Sequence, residues 1–201
     1  MKLIITRHGQ THWNKKDPSI VQGVADIGLS EEGKEQSRKL ALALKKYNIE
    51  NIFVSPLNRA LDTAIAIKKY HKNAKVHIED DLKELDFGVF DGLSINEIKI
   101  KYPEIWLARE KDKLNHIIPN SIESFAEAYN RAMRVLNKII AQGKDSVIVA
   151  HGGINKLLFI KLLDTTLGEL DKNHYNNTGI SVFIIKNGQI QIESYNDSNH
   201  L

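Results

Sequence analysis

Short apolar runs alternate with longer amphipathic segments along most of the chain. Apolar runs at 2–6, 51–54 and 146–150, with a weaker one at 74–78, predict strands of a mostly parallel sheet, and the unbroken apolar runs at 2–6 and 146–150 predict that those two strands are buried. The segments 180–185 and 189–194 flank Asn187-Gly188, the dipeptide most typical of a tight hairpin. The pattern therefore predicts a mostly parallel sheet with an antiparallel C-terminal edge.

Helical periodicity separates these strands. Amphipathic helices are predicted from Ser30 to about residue 47, over about 122–141 and over 154–163. A further helix follows 51–54, with Ser55 as its N-cap and Pro56 in its first turn. Strand and helix alternation predicts a three-layer α/β/α sandwich, in which ligands bind beyond the carboxyl ends of the strands.

Two regions lack this alternation. Residues 12–27 contain Pro18 and Gly23 without a clean period and predict a long loop, which is usually functional in a compact domain. Residues 80–120 are first acidic and glycine-punctuated, and then predict two short helices starting near Ser94 and Pro103. We interpret 1–201 as a single domain with a cap-like insertion at about 86–120.

Composition limits the possible classes of protein. The chain is 42% hydrophobic and 26% charged, which is typical of an ordinary globular domain. The absence of cysteine excludes disulfides and thiolate metal sites. The N-terminal segment before Arg7 has too few apolar residues for a signal peptide, and no apolar run approaches the ~18 residues of a membrane span. We expect a cytoplasmic protein without a membrane partner.

The net charge of +3 comes from well-mixed signs, which does not favour nucleic-acid binding but is compatible with a local anion site. The oligomeric state stays open, with a homodimer as one option.

Two predicted strands end in the same dipeptide, His-Gly. His8-Gly9 follows the first strand and His151-Gly152 follows the fourth. Either histidine alone is as readily explained by a structural hydrogen bond to a backbone carbonyl as by function. The repetition at two strand ends favours function, and a histidine can serve as nucleophile, general base or metal ligand.

The neighbouring residues favour an anion over a metal. His8 and His12 have the spacing of a helical ligand pair, but they follow a strand into a glycine-containing turn, and no His-Glu-x-x-His pattern occurs. Arg7 would repel a cation. Arg59 is predicted near a helix N-terminus, where the macrodipole disfavours a cation by up to about 1 kcal/mol unless an anion is bound. We expect no metal and no cofactor. The alternative for Arg59 alone is a solvated surface residue.

Proton transfer to a leaving group requires an acid. The run 80–86 offers several carboxylates, and Glu84 stands out because Leu82 and Leu85 flank it as apolar anchors. The alternative is that this acidic run is simply a solvated face.

Four blocks resemble the histidine phosphatase superfamily, in its phosphoglycerate mutase-like branch. They span residues 3–153 in the order typical of the family. The blocks are Arg7-His8-Gly9-Gln10-Thr11 with Trp13-Asn14, Gln22-Gly23, Asp26 and Leu29-Ser30; Ser55-Pro56-Leu57-Asn58-Arg59-Ala60 with Thr63-Ala64; Leu82-Lys83-Glu84 with Phe87-Gly88 and Asp91-Gly92; and His151-Gly152-Gly153.

The resemblance implies a role for each matching residue. His8 would be the nucleophile that becomes phosphohistidine, and Glu84 would give a proton to the leaving group and then activate water. The residues that would bind the phosphoryl group or line its pocket are Arg7, Asn14, Gln22, Gly23, Arg59 and His151. Such a mechanism needs no metal, and the substrate would be a small-molecule phosphate ester.

Departures from the family pattern favour a phosphatase over a mutase. Cofactor-dependent mutases carry Arg, His and Tyr after the acid, where this chain has Leu85, Asp86 and Phe87, and they place Gly-Trp where this chain has Gly23-Val24. Glu123-Ser124 lacks the usual preceding glycine, so Ser124 with Glu127 could be only a helix cap. A mutase and a non-catalytic phosphate-binding module remain the alternatives. The ester itself stays open among α-ribazole phosphate, phosphoserine, a sugar phosphate and a broad range.

Overall fold

The computed structural model describes residues 1–170 and 175–201, and these form a six-stranded sheet. The strand order is β3-β2-β4-β1-β5-β6. Strands β1 to β4 run parallel, and β5 and β6 complete one edge in antiparallel pairing, as the hairpin signal predicted. The strands are β1 Lys2–Arg7, β2 Asn51–Val54, β3 Lys75–Ile78, β4 Ser146–Ala150, β5 Ile180–Lys186 and β6 Gln189–Asp197.

Helices cover both faces of the sheet, which confirms the predicted three-layer architecture. One apolar core joins Ile4 of β1 to the first two helices, and the other joins Leu3 and Ile5 to the fifth and sixth. Within the described residues, no helix has the length and apolarity needed to cross a membrane. The helices are α1 Glu31–Leu44, α2 Asn58–Lys68, α3 Ile95–Lys101, α4 Pro103–Lys111, α5 Phe125–Gln142, α6 Gly152–Leu162 and α7 Leu167–Leu170.

Helix α2 begins later than predicted, and the prediction of Ser55 as its N-cap was wrong. Leu57 occupies the N-cap position and makes no side-chain capping bond. The carboxylate of Asp26, in the first loop, instead accepts a hydrogen bond from the backbone N–H of Asn58 at 2.8 Å. An acidic side chain from a distant segment thus stabilises this helix N-terminus.

The side chains of Ser94 and Ser124 do cap their helices as full capping boxes. The capping box at Ser124 confirms the capping role considered for Ser124 with Glu127.

The segment between β3 and α5 packs against the first loop. It contains two 3₁₀ turns and the short helices α3 and α4, with a small apolar cluster around Phe90, Ile98 and Ile118. Val21 of the loop donates to the Leu93 carbonyl at 2.9 Å. The Asp91 carboxylate accepts from the backbone N–H groups of Gly23 and Ala25, so the two segments are fixed to each other above the sheet.

Candidate active site

The two histidines meet because their strands are neighbours. In the parallel β1–β4 pair, Arg7 lies opposite Ala150, so His8 and His151 each follow the same register position. The N–H of His8 donates to the Ala150 carbonyl at 3.0 Å. The two imidazole rings lie 5.1 Å apart, and both are buried.

His8 is held as a neutral ring with one defined tautomer. Its Nδ1 lies 2.7 Å from the Gly9 carbonyl, which can only accept, so Nδ1 carries the proton and Nε2 keeps its lone pair. Burial, followed by the positive charges of Arg7 and Arg59, lowers the pKa of His8 well below 6.5. The ring is therefore unprotonated at neutral pH, which is the form that a nucleophile requires.

Gly9 permits a close approach between this strand end and helix α1. A Cβ at Gly9 would overlap the carbonyl of Gly33 and would lie 2.7 Å from the Ser37 hydroxyl oxygen. The backbone N–H of Gly9 donates to the Thr63 hydroxyl at 3.1 Å. The glycine after His8 thus lets the turn rest on α1, which fixes the direction of the imidazole.

Arg59 is completely buried, so the interpretation as a solvated surface arginine was wrong. Its NH1 and NH2 groups donate to the carbonyls of Ala25 and Gly23, each at 2.7 Å, and its Nε donates to Nδ1 of His151 at 3.2 Å. Burial lowers the pKa of Arg59 to about 10, partly offset by the charge of Glu84. The guanidinium therefore remains charged at neutral pH.

Arg7 directly precedes His8 and lines the same cavity. Its NH1 donates to the Tyr175 carbonyl at 2.8 Å. Its Nε is buried and has no hydrogen-bond partner among the described residues. Burial lowers the pKa of this arginine, and the charge of Glu84 opposes that shift. A buried guanidinium donor without an acceptor is a binding position for an anion.

Both ring nitrogens of His151 are engaged. Nδ1 accepts from Arg59, so the proton resides on Nε2, which donates to the Ser55 hydroxyl at 2.7 Å. Burial, followed by the charge of Arg59, lowers the pKa of His151 well below 6.5. Ser55, assigned from the sequence to a helix cap, is completely buried beneath this histidine.

Glu84 is buried rather than part of a solvated acidic face, with only 6% of its surface exposed. One carboxylate oxygen accepts from the backbone N–H groups of Leu85 at 2.9 Å and Ile154 at 3.1 Å. The other accepts from the N–H of Gly153 at 2.9 Å. The carboxyl group thus rests on the N-terminus of α6, where orphan N–H groups are available.

An ion pair between Arg131 and Glu123 supports the loop that carries Glu84. The guanidinium of Arg131 donates to the carbonyls of Asp81, Lys83 and Glu84 at 2.7–3.2 Å. The same group forms a bidentate pair with Glu123, with bonds of 2.8 and 2.6 Å. Glu123 was noted in the sequence, but Arg131 was not, because on its helix it resembles any other basic residue.

The residues assigned to the pocket by family resemblance lie in two layers. Asn14 and Gln22 line the cavity, and both are tied to Thr11: its N–H donates to Asn14 Oδ1, and its hydroxyl donates to Gln22 Oε1. Gln22 Nε2 is buried and lacks a partner in the described part of the chain. Gly23 lies behind the cavity, where its carbonyl holds Arg59.

The segment before the C-terminal hairpin contributes contacts that sequence patterns did not reveal. The side-chain amide of Asn177 donates to the His8 carbonyl at 2.9 Å and to Asn14 Oδ1 at 3.3 Å. The N–H of Thr178 donates to the Arg7 carbonyl at 3.0 Å. These bonds fix the backbone of the segment that carries His8, yet an isolated Asn-Thr carries no periodic signal.

Arg7, His8, Asn14, Gln22 and Glu84 line one cavity of about 280 Å³, whereas Arg59 and His151 contact each other outside its lining. Arg7, His8 and Glu84 line its floor, and the first loop, the segment after β3 and helix α6 form its walls. Among the described residues, no three His, Cys, Asp or Glu side chains are grouped as a metal site. Two guanidinium groups, a neutral imidazole with a free lone pair and a carboxyl group can bind a tetrahedral anion and transfer it.

The family model of the histidine phosphatase superfamily (branch 1) matches residues 3–198. The chain belongs to the histidine phosphatase superfamily. The resemblance found in the four sequence blocks is thereby confirmed.

Other histidine phosphatases resemble the chain along nearly its whole length. Phosphoserine phosphatase 1 of Hydrogenobacter thermophilus is 30% identical over 203 residues, which cover 100% of this chain and 94% of the relative. The crystal structure of phosphoserine phosphatase from Entamoeba histolytica in complex with 3-phosphoglyceric acid has a TM-score of 0.82 at 32% identity, covering 99% and 98% of the two chains.

The α-ribazole phosphatase of Shigella flexneri shares the fold, with a TM-score of 0.86 at 24% identity over 98% of this chain and 96% of that one. Family membership and the phosphoserine phosphatase relatives identify the chain as a phosphatase.

Proposed function

We propose that the chain hydrolyses a small-molecule phosphate monoester in two steps, through a phosphohistidine on His8 and without a metal ion. The observation that carries this proposal is the tautomer of His8. Its Nδ1–H is committed to the Gly9 carbonyl, so the nucleophilic lone pair is on Nε2, in a cavity that also contains Arg7 and Glu84.

In the first step, Nε2 of His8 attacks phosphorus and the bond from phosphorus to the ester oxygen breaks. Glu84 gives a proton to that oxygen, and the alcohol leaves. Arg7 and Arg59 neutralise charge on the equatorial oxygens, with Arg7 Nε as a ready donor. Gln22 Nε2 offers a further donor to the same group.

In the second step, water attacks the phosphorus of phosphohistidine. Glu84, now a carboxylate, takes a proton from the water, and the bond from phosphorus to Nε2 breaks. Phosphate and neutral His8 are released, and Glu84 is again protonated, so the cycle closes.

The size of the cavity supports a small ester. At about 280 Å³ it lies at or below the lower end of the roughly 300–1,000 Å³ of pockets that hold drug-sized ligands. The Entamoeba histolytica relative was crystallised with 3-phosphoglyceric acid and, as a mutant, with phosphoserine. We therefore place the substrate among short-chain phosphate esters.

The test is phosphate release from a panel of phosphate esters in the presence of a chelator. We expect turnover by the wild type and its loss in His8→Ala, with His12→Ala as a matched control because His12 is exposed on the neighbouring loop. Acid-labile, alkali-stable labelling from a ³²P ester should appear in the wild type and be absent from His8→Ala. Persistent turnover in His8→Ala would refute the covalent mechanism.

A mutase is the second candidate. It predicts exchange of phosphate between phosphoglycerates after priming by a bisphosphate, and the same panel would show that exchange by product analysis. We expect free phosphate instead.

A further inference from the structure

We infer that the cavity binds a second anionic group of the substrate, a carboxylate close to the phosphate, through Arg109 and Lys156. This inference rests on the proposed function, because it concerns the same cavity. No residue outside the four sequence blocks was assigned a binding role from the sequence, and these two cations lie outside all of them.

Arg109 extends from α4 into the cavity in a fixed position. Its guanidinium lies over the rings of Trp106 and Phe125, at 5.7 and 5.2 Å from their centroids, and its side chain is 14% exposed. NH1 donates to the more exposed Glu110 at 2.8 Å. A guanidinium has five N–H donors in a rigid fork, so this one bond leaves donors for a planar carboxylate.

Lys156 lines the cavity from the other side. It lies four residues after Gly152 on α6, one helical turn along the face that borders the cavity. The two cations therefore approach the cavity from separate elements, the helix that follows β4 and a helix inserted after β3.

The charge of the cavity exceeds what one phosphate needs. Arg7 lines the cavity beside His8, the positive charge of Arg59 also acts on His8 from outside the lining, and Arg109 and Lys156 add two more cations to the walls. Of the described residues that line the cavity, Glu84 alone carries a carboxyl group, and it is committed to the α6 backbone.

The dimensions place the second anion near the first. A cavity of about 280 Å³ that holds both the phosphate position and the two outer cations admits only a short carbon chain between them. We choose a carboxylate as the second anion because the planar fork of Arg109, which lies over two rings, can pair with a planar carboxylate through two parallel bonds, and the bisphosphate comparison below tests a second phosphate.

The test compares esters that differ only in the carboxylate. We would measure kcat/KM for 3-phosphoglycerate against glycerol 3-phosphate, and for phosphoserine against phosphoethanolamine. We expect the wild type to prefer the carboxylate-bearing ester of each pair by roughly 10- to 100-fold, the range for hydrogen bonds to charged groups.

Arg109→Met and Lys156→Met should each reduce that preference while keeping turnover of glycerol 3-phosphate, which also reports that the variant is folded. Arg109→Lys should restore part of it. Lys101→Met removes an exposed cation from the neighbouring helix α3 and should leave the preference unchanged.

Each outcome has one meaning. Equal kcat/KM within both pairs, or a preference that survives in both methionine variants, overturns this inference and leaves the phosphatase intact. A larger preference for 1,3-propanediol bisphosphate over its monophosphate, lost in the same variants, would assign the site to a second phosphate and refute the carboxylate. Failure to hydrolyse any ester would refute the proposed function and, with it, this inference.

Discussion

Gly153→Ala should displace Glu84, the proposed general acid, without replacing any side chain of the proposed mechanism. Gly153 is the second residue of α6, and its N–H donates to Glu84 at 2.9 Å. A Cβ at this position would lie 2.6 Å from Glu84 Oε1 and 2.6 Å from Leu85 Cδ1. Both contacts are side-chain atoms of the segment that carries the proposed acid, so these two side chains must move.

The distance that the Glu84 carboxyl oxygen must move determines the expected fall in kcat. Ordinary van der Waals contact begins at 3.4 Å, so the carboxyl oxygen must move by about 0.8 Å. Misplacing a catalytic group by about 1 Å can cost about 100-fold in rate. Overpacking of this kind also costs roughly 1–3 kcal/mol of the free energy of unfolding. We therefore expect a fall in kcat of up to about 100-fold in a protein that still folds.

The assay separates loss of the acid from general damage. An alkyl phosphate needs a proton on its leaving oxygen, whereas p-nitrophenyl phosphate leaves readily without one. Single-turnover phosphorylation of Gly153→Ala should fall much more for the alkyl ester than for the nitrophenyl ester. Gly28→Ala is the control, since a Cβ there meets nothing within 4 Å. Equal losses of the phosphorylation rate for both esters, or no loss for either, would refute the claim that residue 153 must be glycine to leave room for Glu84.

Three further predictions follow from the buried polar contacts. Arg131→Met should lower the free energy of unfolding by about 3 kcal/mol, which is the low end for breaking a buried ion pair, because the Arg131 and Glu123 side chains keep 12% and 14% exposure. Urea unfolding measures this change, and a loss below about 1 kcal/mol contradicts the prediction. Ser55→Ala should cost about 1–3 kcal/mol in the same measurement by leaving the Nε2–H of His151 without an acceptor, whereas Ser55→Thr keeps the hydroxyl. Folding lowers the pKa values of His8 and His151, so below pH 6.5 the unfolded chain binds more protons and the free energy of unfolding should fall as the pH falls. In phosphate-free buffer, the thermal unfolding of His8→Asn should depend less on pH than that of the wild type. An unchanged pH dependence would refute burial of the neutral His8 ring.

Local patterns were sufficient for the fold and for the strand ends of the site. The apolar runs at 2–6 and 146–150 are buried on both faces, and that burial makes them recognisable without any knowledge of their partners. The placement of His8 and His151 follows directly, because parallel strands end at the same edge. Asn187-Gly188 likewise determines its hairpin through its own backbone preferences.

The supporting contacts could not be predicted because they join residues far apart in sequence. Ser55-Pro56 has the composition of a helix start, yet its hydroxyl serves a histidine 96 residues away, and Asp26 caps the helix instead. The carboxyl group of Glu84 is oriented by the N-terminus of a helix about 70 residues later. Within the acidic run, the apolar anchors Leu82 and Leu85 set Glu84 apart, but they do not indicate which backbone groups orient its carboxyl group.

The arginines in and around this site are held mainly by main-chain carbonyl groups, so side chains that determine substrate selectivity can change without displacing them. Arg59 is positioned by two carbonyl groups of the first loop, Arg7 by one before the hairpin, and Arg131 by three around the acid. Because a carbonyl is present whatever the side chain, most residues of these loops can be exchanged while the arginines keep their places. A scaffold of this kind can acquire new substrates by loop substitution without rebuilding its reaction centre, so divergence among its relatives should concentrate in the walls of the cavity and spare the floor.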